Sequence, residues 1–109
     1  MKKRLIQYQV VIVNLDPTLG KEIRKTRPCV IISPDEMNRP LQTVIIAPIT
    51  SKSKEYPTRV KINFQGNKNW VVIDQIRTID KRRITKSLNK LSENEIELIK
   101  NVIKETLVD

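Results

Sequence analysis

Arginine, hydroxyl and carboxylate groups make up the reactive inventory of this chain, because its 109 residues include no histidine and a single cysteine. Without an imidazole it cannot run a histidine acid/base pair, and neither a Ser-His nor a Cys-His nucleophile can form. Zinc would need His or Cys ligands, and the carboxylates are scattered rather than grouped for magnesium, so no metal and no cofactor is expected. Such a set can hold and polarise a phosphodiester. Cleavage of RNA by its own 2′-hydroxyl suits it, since the substrate brings the nucleophile and the protein supplies geometry and charge stabilisation.

The charge points the same way. A net charge of +9, from 21 basic against 12 acidic residues, suggests a polyanionic partner. From Ser92 onward Glu93, Glu95, Glu97, Glu105 and Asp109 outnumber Lys100 and Lys104, so the basic excess belongs to the body of the chain.

The elements that must carry these groups are mostly strands. Four β-branched runs, Val10–Val13, Val30–Ile32, Val44–Ile46 and Val71–Ile73, are bounded by Pro, Gly, Asn or Asp. Val60, Ile62 and Phe64 alternate with Arg59, Lys61 and Asn63, the period of a strand with one wet face. Asp16-Pro17-Thr18-Leu19-Gly20 and Gln65-Gly66-Asn67-Lys68-Asn69 have turn compositions. Ser92-Glu93-Asn94-Glu95 matches a capping box and opens a C-terminal helix whose Ile96, Ile99, Val102, Ile103 and Leu107 share one side. Five or six short strands with one main helix predict a mainly β fold, a small bent antiparallel sheet or partly open barrel, with residues 1–109 as a single domain.

If consecutive strands pair antiparallel, the loops after the first and third strands and the segment after the fifth meet at one end of the sheet. That end gathers Lys21, Glu22, Arg24, Lys25, Arg27, Thr50, Ser51, Lys52, Lys54, Arg59 and Arg77. The opposite end is expected to hold less, Arg39 and Lys68 beside Asp35 and Glu36. A clustered cationic rim is what phosphate-backbone binding requires. Plain structural readings compete: Arg27 as a strand-edge arginine, Thr50 as a turn cap, Asp74-Gln75 as a polar strand end bonded to backbone. Trp70, at the head of an apolar run, suits core or dimer interface better than base stacking.

Cys29 sits in an apolar run as a small hydrophobe, which points to a reducing compartment. The apolar stretch after Met1-Lys2-Lys3-Arg4 is too short for a signal peptide, and no segment approaches the ~18 apolar residues of a membrane span. A cytoplasmic protein is expected.

Leu15-Asp16-Pro17-Thr18 with Gly20 and Glu22, then Arg27-Pro28 leading into Val30-Ile31-Ile32-Ser33, resembles the first half of the MazF/PemK toxin pattern. Pro48-Ile49-Thr50-Ser51, Tyr56-Pro57 and Asp74-Gln75-Ile76-Arg77-Thr78-Ile79 resemble its second half, in family order. The resemblance implies an SH3-like antiparallel barrel of the MazF/CcdB/Kid type with a C-terminal helix, acting as a homodimer. It implies a sequence-specific, metal-independent mRNA interferase that cuts single-stranded RNA to leave cyclic phosphate and 5′-hydroxyl ends. It also implies an acidic antitoxin whose flexible tail occupies the RNA groove. Residue by residue, Arg27 and Thr50 fall on the catalytic arginine and threonine, with Glu22 as a third candidate that orients Arg27 or accepts a proton. Lys25, Ser51, Lys52, Lys54, Arg59, Gln75 and Arg77 are the candidate RNA-binding residues.

Two departures stand out: Tyr8-Gln9 replaces a frequent Gly-Asp before the first strand, and Lys21-Glu22-Ile23 replaces Ser-Glu-Gln after the loop glycine. Two other functions remain open here. A non-cleaving nucleic-acid-binding regulator would explain the charge, although not arginine and threonine at the catalytic positions. A gyrase-poisoning toxin of the same fold would carry a terminal Trp-Gly-Ile, where this chain has Thr106-Leu107-Val108-Asp109.

Overall fold

A computed structural model of the chain describes residues 4–17, 20, 22 and 25–108. Strands β1 (Gln9–Asn14), β2 (Thr26–Ile31) and β3 (Thr43–Thr50) pair antiparallel in sequence order. β4 (Arg59–Phe64) and β5 (Asn67–Val72) form a hairpin whose turn residues Gln65 and Gly66 have φ of 52° and 81°. Two consecutive left-handed residues give a turn whose twist matches that of the flanking strands. β6 (Arg77–Asp80) and β7 (Ile84–Lys90) complete the sheet, in the order β4-β5-β3-β2-β1-β7 with β6 also on β3. The described strands form the expected small, curled antiparallel sheet with a C-terminal helix, and they number seven rather than five or six.

Consecutive described strands do not pair at β3–β4, β5–β6 or β6–β7, since β6 returns to β3 and β7 to β1. β3 takes β5 as its neighbour, through Ile49↔Val71 and Thr50↔Trp70, and leaves β4 outside. β4 carries exposed Lys61 and Asn63 and suits an edge, whereas β5 buries Val71 and Val72 and suits the interior. The Asn63 amide on that edge donates to Glu95 Oε2 at 2.8 Å, so the helix carboxylate covers an otherwise open strand.

The uninterrupted β-branched runs are explained by burial on both faces. Val11, Val13, Cys29, Ile31, Val44, Ile46, Ile79 and Ile84 pack inside the curl. Val10, Val30, Ala47 and Ile49 face the other way, against Val60, Ile62, Val71 and Ile73. Helix α2 (Glu93–Ile103) closes that second cluster with Ile96 and Ile99 and starts in the anticipated capping box, Ser92 Oγ accepting from the Glu95 amide. Burying each such isoleucine stabilises the fold by roughly 1.5 to 3 kcal/mol. A short helix, α1 (Asp35–Asn38), precedes β3.

Leu107 departs from the predicted apolar stripe. Residues Lys104–Val108 form a π-helical turn, whose wider hydrogen-bonded ring changes the angular step, and Leu107 is left exposed beside Val108.

Tyr8 shows why the missing glycine is tolerated. Its φ is 66°, a left-handed conformation that costs a non-glycine residue about 1 to 2 kcal/mol. The ring is buried, and the backbone on either side is held, with Tyr8 N donating to Ile31 O at 2.7 Å and Leu91 N donating to Tyr8 O at 3.0 Å. Burial of an aromatic ring offsets the strain.

Candidate active site

β2 starts at the candidate arginine. Arg27 lies opposite Val13 of β1, while Cys29, Val30 and Ile31 lie opposite Pro48, Ala47 and Ile46 of β3. Carrying the second register two residues onward sets Arg27 opposite Thr50, and an even offset keeps both on the face shared with Cys29 and Pro48. Ile46 is in turn opposite Arg77 of β6, which places a third candidate on that face. Arg27 is exposed and Thr50 half-buried.

The Thr50 hydroxyl is engaged locally: Oγ1 accepts from the Lys52 amide and donates to Lys52 O, both at 3.2 Å. This is the turn-capping role open to any threonine at a strand end. It also anchors the start of the loop that displays Ser51, Lys52 and Lys54, all exposed.

Glu22, Gln75 and Arg77 are brought together around a cavity of about 220 Å³, which Leu15, Pro48, Asp74 and Ile76 also line. Gln75 ends a 3-10 turn, Ile73–Gln75, that links β5 to β6. Arg77 Nη1 donates to Leu15 O at 3.2 Å. Lys25, at φ 65°, closes the neck of the first loop: its amide donates to Asp16 Oδ1 at 3.0 Å and its carbonyl accepts from Leu15 N at 2.9 Å. Lys21 and Arg24, expected on the same rim, lie outside the described residues.

Arg83 does more here than its sequence suggested. It follows β6 in the run Lys81-Arg82-Arg83, and its Nη1 donates to Asn14 O at 3.2 Å and also to Asp16 O. With Arg77 on Leu15 O, two guanidinium groups hold three consecutive carbonyls at the root of the first loop. A run of basic residues ordinarily reads as a solvated turn, so sequence offered no signal for this.

Arg59 is committed differently from Arg27. Its Nε and Nη2 donate to the two carboxylate oxygens of Asp74 at 3.3 and 3.4 Å, and its Nη1 donates to Ser53 Oγ at 2.9 Å. The Tyr56 ring lies 5.0 Å from the guanidinium carbon. Burial pushes the Asp74 carboxyl pKa up, but hydrogen bonds from Arg59 and from Thr58 outweigh it and leave the group below its ordinary value. Asp74 is therefore tied chiefly to the Arg59 and Thr58 side chains, with a backbone amide adding a further hydrogen bond.

Burial pushes the Cys29 thiol up to about 12, which leaves it an inert hydrophobe. Trp70 is half-buried and lines a groove of about 320 Å³ with Tyr56, Leu98 and Val102. Its indole Nε1 is buried with no hydrogen-bond partner among the described residues. Among those residues no three acidic or cysteine side chains gather around a common point.

A family model described as PemK-like, MazF-like toxin of type II toxin-antitoxin systems matches residues 6–107. The endoribonuclease MazF of Staphylococcus saprophyticus is 36% identical over 100 residues, which span 86% of this chain and 83% of that protein. Among solved structures, MazF from Deinococcus radiodurans superposes with a TM-score of 0.85 at 23% identity, over 97% of this chain and 98% of that one. A mycobacterial endoribonuclease in complex with its cognate antitoxin superposes with a TM-score of 0.80 at 20% identity, over 94% of each chain.

Proposed function

This chain belongs to the PemK-like, MazF-like toxins of type II toxin-antitoxin systems, and from that premise we propose that it is a sequence-specific, metal-independent endoribonuclease acting on single-stranded RNA. The observation that supports the reading is the β2–β3 register, which, continued two residues past Cys29↔Pro48, sets Arg27 opposite Thr50 on the face that also holds Arg77.

In the proposed reaction the 2′-hydroxyl oxygen attacks the adjacent phosphorus, and the bond from phosphorus to the 5′-oxygen breaks. The products are a 2′,3′-cyclic phosphate and a 5′-hydroxyl. Arg27 directs its planar donor fork at the equatorial oxygens of the phosphorane, whose charge exceeds that of the ground-state diester. A guanidinium serves as a charge stabiliser rather than a proton carrier at neutral pH. The Thr50 hydroxyl turns from Lys52 O to a phosphate or departing oxygen. Glu22 orients Arg27 or accepts the 2′-hydroxyl proton, and solvent water supplies the proton that the 5′-oxygen takes up as it leaves.

Lys25, Ser51, Lys52, Lys54, Gln75 and Arg77 contact the strand on either side of the cut bond. Arg59 acts one step back, holding Ser53 in the lysine-bearing loop against Asp74 beside Gln75. A cognate antitoxin is a partner of this chain, as one is of the complexed mycobacterial relative, and its acidic segment competes for this cationic rim. Two copies associate through α2 and the π-helical turn that follows it, where Leu98, Leu107 and Val108 are 50%, 60% and 73% exposed. No helix among the described residues is long and apolar enough to cross a membrane, and we place the protein in the cytoplasm.

The deciding experiment incubates the purified chain with a long unstructured RNA in EDTA and maps the fragment ends beside an Arg27→Ala control. Discrete cuts with cyclic-phosphate ends, absent in the control, support the assignment. RNA that stays intact while bound would favour a non-cleaving regulator.

A further inference from the structure

The cavity with the largest volume described lies away from Arg27 and Thr50, between the α1–β3 link, the N-terminal segment and the turn after β6, and encloses about 720 Å³. We propose that it is a docking site for an acidic peptide that carries aliphatic side chains. Leu5, Ile6, Pro40 and Leu41 supply an apolar lining, and Leu41 keeps 44% of its surface exposed.

Arg4, Arg39, Lys81 and Arg82 surround that floor, and among the described residues no carboxylate lines the cavity. Arg82 is neutralised by Asp80 at 3.0 Å, and Lys81 Nζ donates to Asn38 O. The guanidinium groups of Arg4 and Arg39 have no hydrogen-bond or ion-pair partner among the described residues. Two uncommitted planar forks beside an aliphatic floor match carboxylates spaced along a chain with apolar side chains between them. Among the described residues no aromatic ring lines the cavity, so a nucleobase would find no stacking platform in that lining.

The walls are built before any ligand arrives. Asn38 is fixed on both sides of its amide, accepting from Ser33 Oγ at 2.5 Å and donating to Ser33 O at 2.8 Å, while Ser33 Oγ also accepts from the Ile45 amide. Lys81 N donates to Gln42 O at 2.8 Å and closes the other side. A preformed site spares the entropy of ordering its own loops. Gln42 lines the cavity and Thr50 lies eight residues further along the chain, at the far end of β3, roughly 25 Å at strand rise. An acidic segment can therefore occupy the cavity while the rim holds another ligand, and this holds whether or not the rim cleaves RNA.

The test is fluorescence anisotropy of a short labelled peptide, rich in glutamate with spaced leucines, against the full-length protein and its Arg39→Glu and Leu41→Asp variants. Each variant should weaken binding by about 10-fold or more, the scale of one lost charge-assisted contact or buried side chain. Arg39→Gln should fall between, and peptides with glutamine for glutamate or serine for leucine should bind as weakly as the variants. An excess of a 2′-deoxy single-stranded oligonucleotide should leave the peptide bound, and both variants should keep the wild-type melting temperature and any RNA cleavage. Failure of the wild type to bind, or equal binding by the variants, overturns the proposal. Displacement by an oligonucleotide whose own affinity depends on Arg39 would reassign the cavity to nucleic acid.

Discussion

Arg27 and Arg59 stand near the start of two strands at the same end of the sheet, yet the fold uses them in opposite ways. Arg59 has three of its nitrogens bonded to Asp74 and Ser53 and an aromatic ring alongside, so its charge is already answered within the protein. Arg27 is exposed at the head of β2, on the strand face shared with Cys29 and Pro48 and with a second arginine, Arg77. The difference teaches that a place on a cationic rim does not by itself assign an arginine's role, because exposure and strand face decide which guanidinium can meet a phosphate. A guanidinium that has found its carboxylate has little left to offer a phosphate, and it becomes a post for the loop beside it.

That contrast can be broken most severely at Arg27. Arg27→Ala should lower the cleavage rate by about 100- to 1,000-fold, the usual cost of removing one transition-state donor, while RNA affinity falls only by about one phosphate contact. Thr50→Ala should follow it, with Thr50→Ser restoring most of the rate. If Arg59→Ala proves as damaging to the rate as Arg27→Ala, the division of labour drawn here is wrong.

Arg83→Ala should have the next largest effect. Releasing the Asn14 and Asp16 carbonyls loosens the root of the loop that carries Glu22, and we expect roughly a tenfold loss in kcat with KM little changed, on the scale of one displaced charged hydrogen bond. A change confined to thermal stability would mark Arg83 as purely structural.

Smaller again is Arg59→Ala, which should reduce stability by about 1 kcal/mol or less, since the pair is partly exposed. Urea midpoints for Arg59→Ala, Asp74→Asn and the double variant would show whether the two losses add or coincide, and coincidence is expected. Lys52→Ala and Lys54→Ala should each reduce the salt slope of single-stranded RNA binding by about 0.7. A slope that does not change would remove that loop from the RNA path.

The smallest expected effect is with pH. Asp74 has a folded pKa below its unfolded value of about 3.9, so its contribution is fully present above that value and is lost as pH falls through the folded one. Urea midpoints measured from pH 6 down to pH 3 should show a decline that Asp74→Asn lacks.

Much of the fold could be read locally. β-branched runs and the Arg59–Phe64 alternation marked five strands, because burial imprints a period of two on neighbouring residues. The Ser92–Glu95 capping box marked the helix start, because its two end residues, three apart in sequence, bond to each other. β6 and β7 escaped notice: β6 has four residues, and β7 exposes Thr85, Lys86, Ser87, Asn89 and Lys90, so neither carries a long apolar signal. Arg83 and the cavity beside Arg39 were equally silent, since their partners lie tens of residues away.

The sequence by itself determined the chemistry open to this protein. The absence of histidine, the basic body and the ordered motifs around Arg27, Thr50 and Arg77 are properties of residue type and spacing, which folding cannot alter. Only the tertiary structure decided which arginines are spent internally, that β3 pairs with β5 rather than β4, and that Arg83 grips the root of the first loop. Those outcomes depend on hydrogen-bond partners brought within about 3 Å by long-range strand pairing, and a guanidinium, short-ranged in its bonds, answers to whatever carboxylate or carbonyl the fold sets beside it.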